Sequence, residues 1–115
     1  QGRWDTQPYD AGEVWRNNLI QDALEEVAQL IWEHLSLEPY QTVLEKLDLK
    51  SLYSLDIPKG SIACRQDLSM PPGFIHPGMT SHLSTYKLVE MDGSHEGLFT
   101  RPAEGADNII AASLE

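Results

Sequence analysis

The chain has 115 residues with 18 acidic and 8 basic side chains, four histidines, one cysteine and 41% hydrophobic residues, a size and balance that fit one domain, 1-115. No run approaches the roughly 20 apolar residues that span a bilayer, and no basic segment leads into an apolar stretch at the start, so neither a membrane span nor a secretory precursor is expected. A net charge of −10 disfavours nucleic acid and anionic membranes, whose binding relies on clustered Lys and Arg.

The sequence opens on Gln1 rather than Met, which reads as processing, excision from something larger, or trimming. Asp10-Ala11-Gly12-Glu13 has the spacing of a capping box, so a helix is expected to follow. Ile20, Ala23, Leu24, Val27, Leu30, Ile31 and Leu35 recur at three- and four-residue intervals, with Trp15 and Leu19 extending the stripe backwards. That periodicity predicts one amphipathic helix from about Glu13 to Leu35, with Asp22, Glu25, Glu26 and Glu33 exposed on its polar side. Pro39 should end the pattern and open a second helix whose apolar face is Tyr40, Val43, Leu44 and Leu47. The short connection implies that the two helices pack as a pair, and their leucine content requires cover from the second half.

After Asp56 the composition changes. Pro58, Gly60, Pro71, Pro72, Gly73, Pro77 and Gly78 exclude a regular helix and predict turns at Ile57-Pro58-Lys59-Gly60 and Pro71-Pro72-Gly73. Ser61-Ile62-Ala63-Cys64 reads as a short strand or buried extended segment. Residues 85–91 have the β-branched and aromatic content of a strand, Asp92-Gly93 is a hairpin signal, and Gly97-Leu98-Phe99-Thr100 offers the returning strand. Ala103 to Leu114 is compatible with a terminal helix, although Gly105 and Asn108 weaken it. The final Leu114-Glu115 reads either as the end of that helix or as the residue of a cloning junction. The expected fold is therefore α+β: a helical half, about 10-55, packed on a small antiparallel β-hairpin in a loop and hairpin half, about 56-115, through an irregular Pro/Gly-rich segment.

Signals for chemistry are sparse. His76, His82 and His95 are candidate metal ligands, with Asp92 or Glu96 as oxygen donors, but their spacing matches no ligand signature and ordinary loop roles explain them as well. Cys64 beside Arg65 is a weak nucleophile candidate in an apolar setting that suits a small core residue. One cysteine excludes an internal disulfide and a four-cysteine zinc site. There is no GxSxG elbow and no phosphate-binding glycine loop, so no cofactor is expected.

Charge is the remaining signal. Residues 1–58 hold eleven acidic and four basic side chains, against seven and four in 59–115. The expected function is accordingly a small acidic protein-binding module or non-catalytic accessory subunit, docking a protein partner with a basic surface through Asp22, Glu25, Glu26 and Glu33. Trp4, Tyr9, Trp15, Trp32 and Tyr40 supply aromatic side chains of the kind found at binding hot spots, or else complete a small core. Two alternatives stand beside it. One is a small enzyme or metal-binding domain using the loop histidines, and the other an inhibitor or immunity-type protein that blocks a basic active site.

Overall fold

Apolar periodicity runs unbroken from Trp15 to Leu35, yet the helix it predicts is interrupted after Asn18, and Arg16 fastens the connection that follows. In the computed structural model, which describes residues 11–70 and 73–113, α1 (Ala11–Asn18) and α2 (Glu25–His34) are separated by an irregular connection. Arg16 donates from Nη1 to the Ile20 carbonyl at 2.8 Å and from Nη2 to the Ala23 carbonyl at 3.0 Å. Those carbonyls lie outside a helical ladder, and Leu24 adopts extended dihedrals before α2 begins. The capping box falls on Asp10, and Trp4 and Tyr9 also lie outside the described residues.

The break changes which stripe residues are covered. Ile20 is fully buried and Ala28 nearly so, whereas Leu24 is 68% exposed and Leu30 and Leu35 are exposed. Beyond α2 the expected second helix is two short pieces, α3 (Gln41–Leu44) and α4 (Lys50–Ser54). Tyr40, Val43, Leu44 and Leu47 do gather there, but all four are exposed. Four residues complete barely one helical turn, so such a helix depends on tertiary packing for its stability.

The expected antiparallel hairpin is corrected to a parallel pair. β1 (Gly60–Cys64) and β2 (Lys87–Met91) run side by side with Gly60 opposite Lys87, Ile62 opposite Val89 and Cys64 opposite Met91. Both strand segments are where composition places them; their partner and direction are not. The Asp92-Gly93 signal marks a sharp turn, since Gly93 has φ +142°, a value that favours glycine. Instead of returning, the chain enters α5 (Gly97–Thr100), so Gly97-Leu98-Phe99-Thr100 is helical. Parallel strands need a long crossover, here residues 65–86 with a 3₁₀ turn at Thr80–His82. The Pro71-Pro72 turn lies outside the described residues.

The terminal helix is present as α6 (Pro102–Ser113), with Pro102 in the first helical position where its missing N–H costs nothing. α6 packs on both strands. A Cβ on Gly60 would stand 2.7 Å from the carbonyl oxygen of Ala112, so the glycine sets the distance between β1 and α6. The buried apolar residues among those described are few, namely Ile20, Ala28 and Met91, and large apolar side chains from Leu30 to Ile110 remain exposed. The radius of gyration, 16.4 Å, exceeds the roughly 13 Å of a compact domain this long. No helix among the described residues is long and apolar enough to cross a membrane.

Candidate active site

The two parallel strands bring their carboxyl ends together, and a carboxylate three residues past one end meets an imidazole four residues past the other. Asp67 follows β1 and His95 follows β2. In open α/β sheets this carboxyl edge is where ligands bind. The His95 ring nitrogen Nδ1 lies 2.9 Å from Asp67 Oδ2. A carboxylate can only accept, so His95 Nδ1 carries the proton and donates it.

Asp67 is 3% exposed in its side chain, and its position is fixed by local backbone geometry. Its Oδ1 accepts the backbone N–H of Ser69 at 2.9 Å and of Met70 at 2.7 Å, leaving Oδ2 for the imidazole. His95, at 29% exposure, is partly open to solvent. With Nδ1 engaged, Nε2 is the nitrogen left for proton transfer. Among the described residues no serine or cysteine is hydrogen-bonded to it.

Cys64 ends β1 but has the wrong electrostatics for a nucleophile. Burial pushes its thiol pKa up, and the negative charges of Asp67, Asp22 and Glu104 act in the same direction. The neighbouring Arg65 is turned to Asp92 at 3.2 Å. Gln66 and Arg65 hydrogen bonds hold the Asp92 carboxyl below its ordinary range.

The other histidines lie in different settings. His76 Nδ1 is 2.8 Å from Thr80 Oγ1 and 3.1 Å from the Tyr86 hydroxyl, whose ring meets the imidazole edge-on. His82 stacks on Tyr53 with centroids 6.4 Å apart. Among the described residues, no group of three or more His, Cys, Asp or Glu side chains is arranged to hold a metal ion, so His76, His82 and His95 are not brought together.

The acidic quartet is also divided. Glu25, Glu26 and Glu33 are exposed on α2, Glu25 paired with Arg16 at 3.3 Å and Glu33 accepting from Gln29 at 2.9 Å. Asp22, expected on the same exposed face, lies in the α1–α2 connection with a side chain only 16% exposed, because the helix breaks before it. Its Oδ2 accepts from Arg101 Nε at 3.2 Å, Thr100 Oγ1 at 3.0 Å and the Ser94 N–H at 3.3 Å. Burial by itself would raise the Asp22 pKa, but the hydrogen bonds from Ser94, Thr100 and Arg101 outweigh it and hold the group below its ordinary value. Trp15 and Trp32 pack at 5.2 Å between centroids beside a cleft of about 520 Å³ between α1 and α2, and Tyr40 is exposed.

Asp67 escapes the sequence reading. Its signal is a carboxylate three residues past the end of one strand and a histidine four residues past the next, which has meaning only if the strands are parallel neighbours.

No protein-family model and no curated protein matches the sequence. Among solved structures, the chain is similar to an extracellular α/β-hydrolase from a Paenibacillus species, described as sharing structural and functional homology with tobacco salicylic acid binding protein 2. The TM-score is 0.80 and the identity 31%, over 90% of this chain. The match spans 44% of the length of that hydrolase.

Proposed function

We propose that this chain supplies the acid–base half of an α/β-hydrolase-type active site, with His95 as the proton-transfer group and Asp67 as the carboxylate that orients it. The observation that carries the reading is the 2.9 Å His95–Asp67 hydrogen bond, made by a buried carboxylate at the carboxyl ends of two adjacent parallel strands. In α/β-hydrolases the triad runs nucleophile, acid, histidine along the chain, and here the acid precedes the histidine. The similarity to the Paenibacillus hydrolase over 44% of its length supports the same assignment. The nucleophilic serine would come from the remainder of such a sheet.

The chemistry follows from the tautomer. His95 Nε2 takes the proton of a serine hydroxyl as its oxygen attacks an ester carbonyl, and the imidazolium is stabilised by Asp67. Nε2 then returns that proton to the departing alkoxide, whose bond to the acyl carbon breaks. A water molecule repeats the sequence: Nε2 takes its proton, the hydroxide oxygen bonds the acyl carbon, and the serine oxygen leaves with the proton. A carboxylic ester is the simplest substrate for this proton path, and the test below uses one.

The test uses the protein that carries this chain together with the serine-bearing part of the sheet, and p-nitrophenyl acetate as substrate. His95→Ala should lower kcat by about 10³-fold or more while KM stays within a few-fold. Equal turnover by His95→Ala and the parent protein would reject the assignment.

A second reading is favoured by the exposure of Glu25, Glu26 and Glu33 on one short helix: an acidic surface that docks a basic protein partner. Its association rate with a lysine-rich partner should fall as salt rises from 0.01 to 0.1 M, where the Debye length shrinks from about 30 Å to about 10 Å. Charge reversal of Glu25 and Glu26 should slow it likewise. A rate indifferent to both leaves those carboxylates a solvated face.

A further inference from the structure

We propose that Asp22 is a positioning residue for His95, tying the α1–α2 connection to the loop that carries the imidazole; the proposal rests on the acid–base reading of His95. The two residues flanking His95 both bond to that connection. The Ser94 N–H donates to Asp22 Oδ2 at 3.3 Å, and the Glu96 N–H donates to the Leu19 carbonyl at 2.9 Å. His95 is thus held at both of its peptide neighbours by a segment more than seventy residues earlier in the chain.

The connection is itself well anchored. Ile20 is fully buried, and Arg16 fastens the Ile20 and Ala23 carbonyls. Asp22 then gathers the far side of the loop, since Thr100 Oγ1 and Arg101 Nε converge on the same carboxylate oxygen as Ser94. Arg101 is further held at Glu104, 3.5 Å away, which joins the start of α6 to the cluster.

The two carboxylates therefore act on different parts of one residue. Asp67 reaches the ring and sets its tautomer and rotation, while Asp22 reaches the backbone and sets where the ring begins. A ring fixed at one end only can swing, and reacting groups tolerate little displacement: a shift of about 1 Å can cost about 10²-fold in rate. An anionic oxygen suits this role because it accepts three donors, one of them a guanidinium, with charge-assisted strength.

The experiment follows the His95 Nδ1–H proton by NMR in the purified protein that carries this chain, for Asp22→Ala, Thr100→Val and Asp67→Asn. The parent protein should show a downfield Nδ1–H resonance in slow exchange with water, and Asp67→Asn should lose it. Asp22→Ala should exchange this proton about tenfold faster or more and lower kcat for p-nitrophenyl acetate by about 10- to 100-fold, with KM within a few-fold. The His76 and Tyr86 resonances should not move, which separates loop positioning from general loosening. If Asp22→Ala does not fold, Thr100→Val, which removes one of the three donors, should shift exchange and kcat in the same direction by less. A parent resonance that survives at unchanged exchange in the folded variants overturns the role of Asp22 alone. A parent protein with no such resonance overturns the acid–base pairing and this proposal together.

Discussion

Replacing Asp67 by Asn changes two atoms' roles and almost no volume, which makes it the sharpest test of the pair. In the parent chain one carboxylate oxygen serves the Ser69 and Met70 N–H groups, and the other accepts from His95 Nδ1. An asparagine has one acceptor oxygen and one NH₂ donor. Turning the NH₂ toward Ser69 and Met70 would set it against two backbone donors at a buried site, so the oxygen stays there and the NH₂ faces His95. A donor facing Nδ1 requires that nitrogen to be an unprotonated acceptor, which moves the ring proton to Nε2. The base then presents a proton where it needs a lone pair. Where the corresponding exchange has been made in a Ser-His-Asp triad, kcat falls by about 10⁴-fold, or about 5.5 kcal/mol at 1.36 kcal/mol per decade. The expected result is a loss of about 10³- to 10⁴-fold in kcat for p-nitrophenyl acetate, with a melting temperature close to the parent value because both backbone hydrogen bonds are retained. Retention of more than about a tenth of the parent kcat would refute the argument from the tautomer, and with it the catalytic role of the pair.

Three further outcomes follow from burial and charge. Ile20→Ala should cost about 2–4 kcal/mol in denaturant unfolding, while Leu24→Ala should stay within about 0.5 kcal/mol, since only Ile20 is buried; equal costs would contradict the helix break. Gly60→Ala should destabilise by about 1–3 kcal/mol, because the new Cβ would lie 2.7 Å from a backbone oxygen of α6 that cannot rotate away. The Asp22 carboxyl is held below its ordinary pKa, so its stabilising effect is in place above about pH 4 and is lost as pH falls through the lowered folded value. Urea titrations of the parent protein and Asp22→Ala should therefore differ at pH 7 and converge in acid; a gap that persists unchanged at acid pH would contradict the sign.

Local elements were legible where local chemistry decides them. Val89 lies in the strand that β-branched and aromatic content predicts over residues 85–91, which begins only at Lys87, and Pro102 opens the terminal helix at the position its fixed φ suits. What escaped depends on residues distant in sequence. Asp92-Gly93 carries the composition of a hairpin turn, but a turn signal fixes the bend and not the partner, and β2 pairs with a strand more than twenty residues earlier. Periodicity likewise places Asp22 on a polar face, while the chain leaves the helix after Asn18, Arg16 fastens the connection through two of its carbonyls, and Asp22 turns toward Arg101. The candidate site suffered the same blindness. His95 was visible as a titratable loop residue, whereas Asp67 gains meaning only from the parallel register that sets Cys64 beside Met91 and so brings the two strand ends together.

The apolar residues left uncovered bear on the same conclusion from the side of stability. Purely parallel sheets are found with both faces covered, and sheets of two strands rarely stand alone in water. Here a two-stranded parallel sheet carries α6, and α3 and α4 hold Val43, Leu44, Leu47 and Leu52 open to solvent. Leu47 alone is 76% exposed, and fully burying one leucine is worth about 1.5–3 kcal/mol, so covering several such side chains would match the whole net stability of a domain, about 5–15 kcal/mol. Structure packed on α3 and α4 would supply that cover, and strands docked beside β1 would, in an α/β-hydrolase arrangement, carry the nucleophile to the same carboxyl edge where His95 Nε2 is presented. The exposed leucines and the proposed dyad thus both look to structure beyond the two strands, the leucines for burial and His95 for a nucleophile, although they rest on different residues.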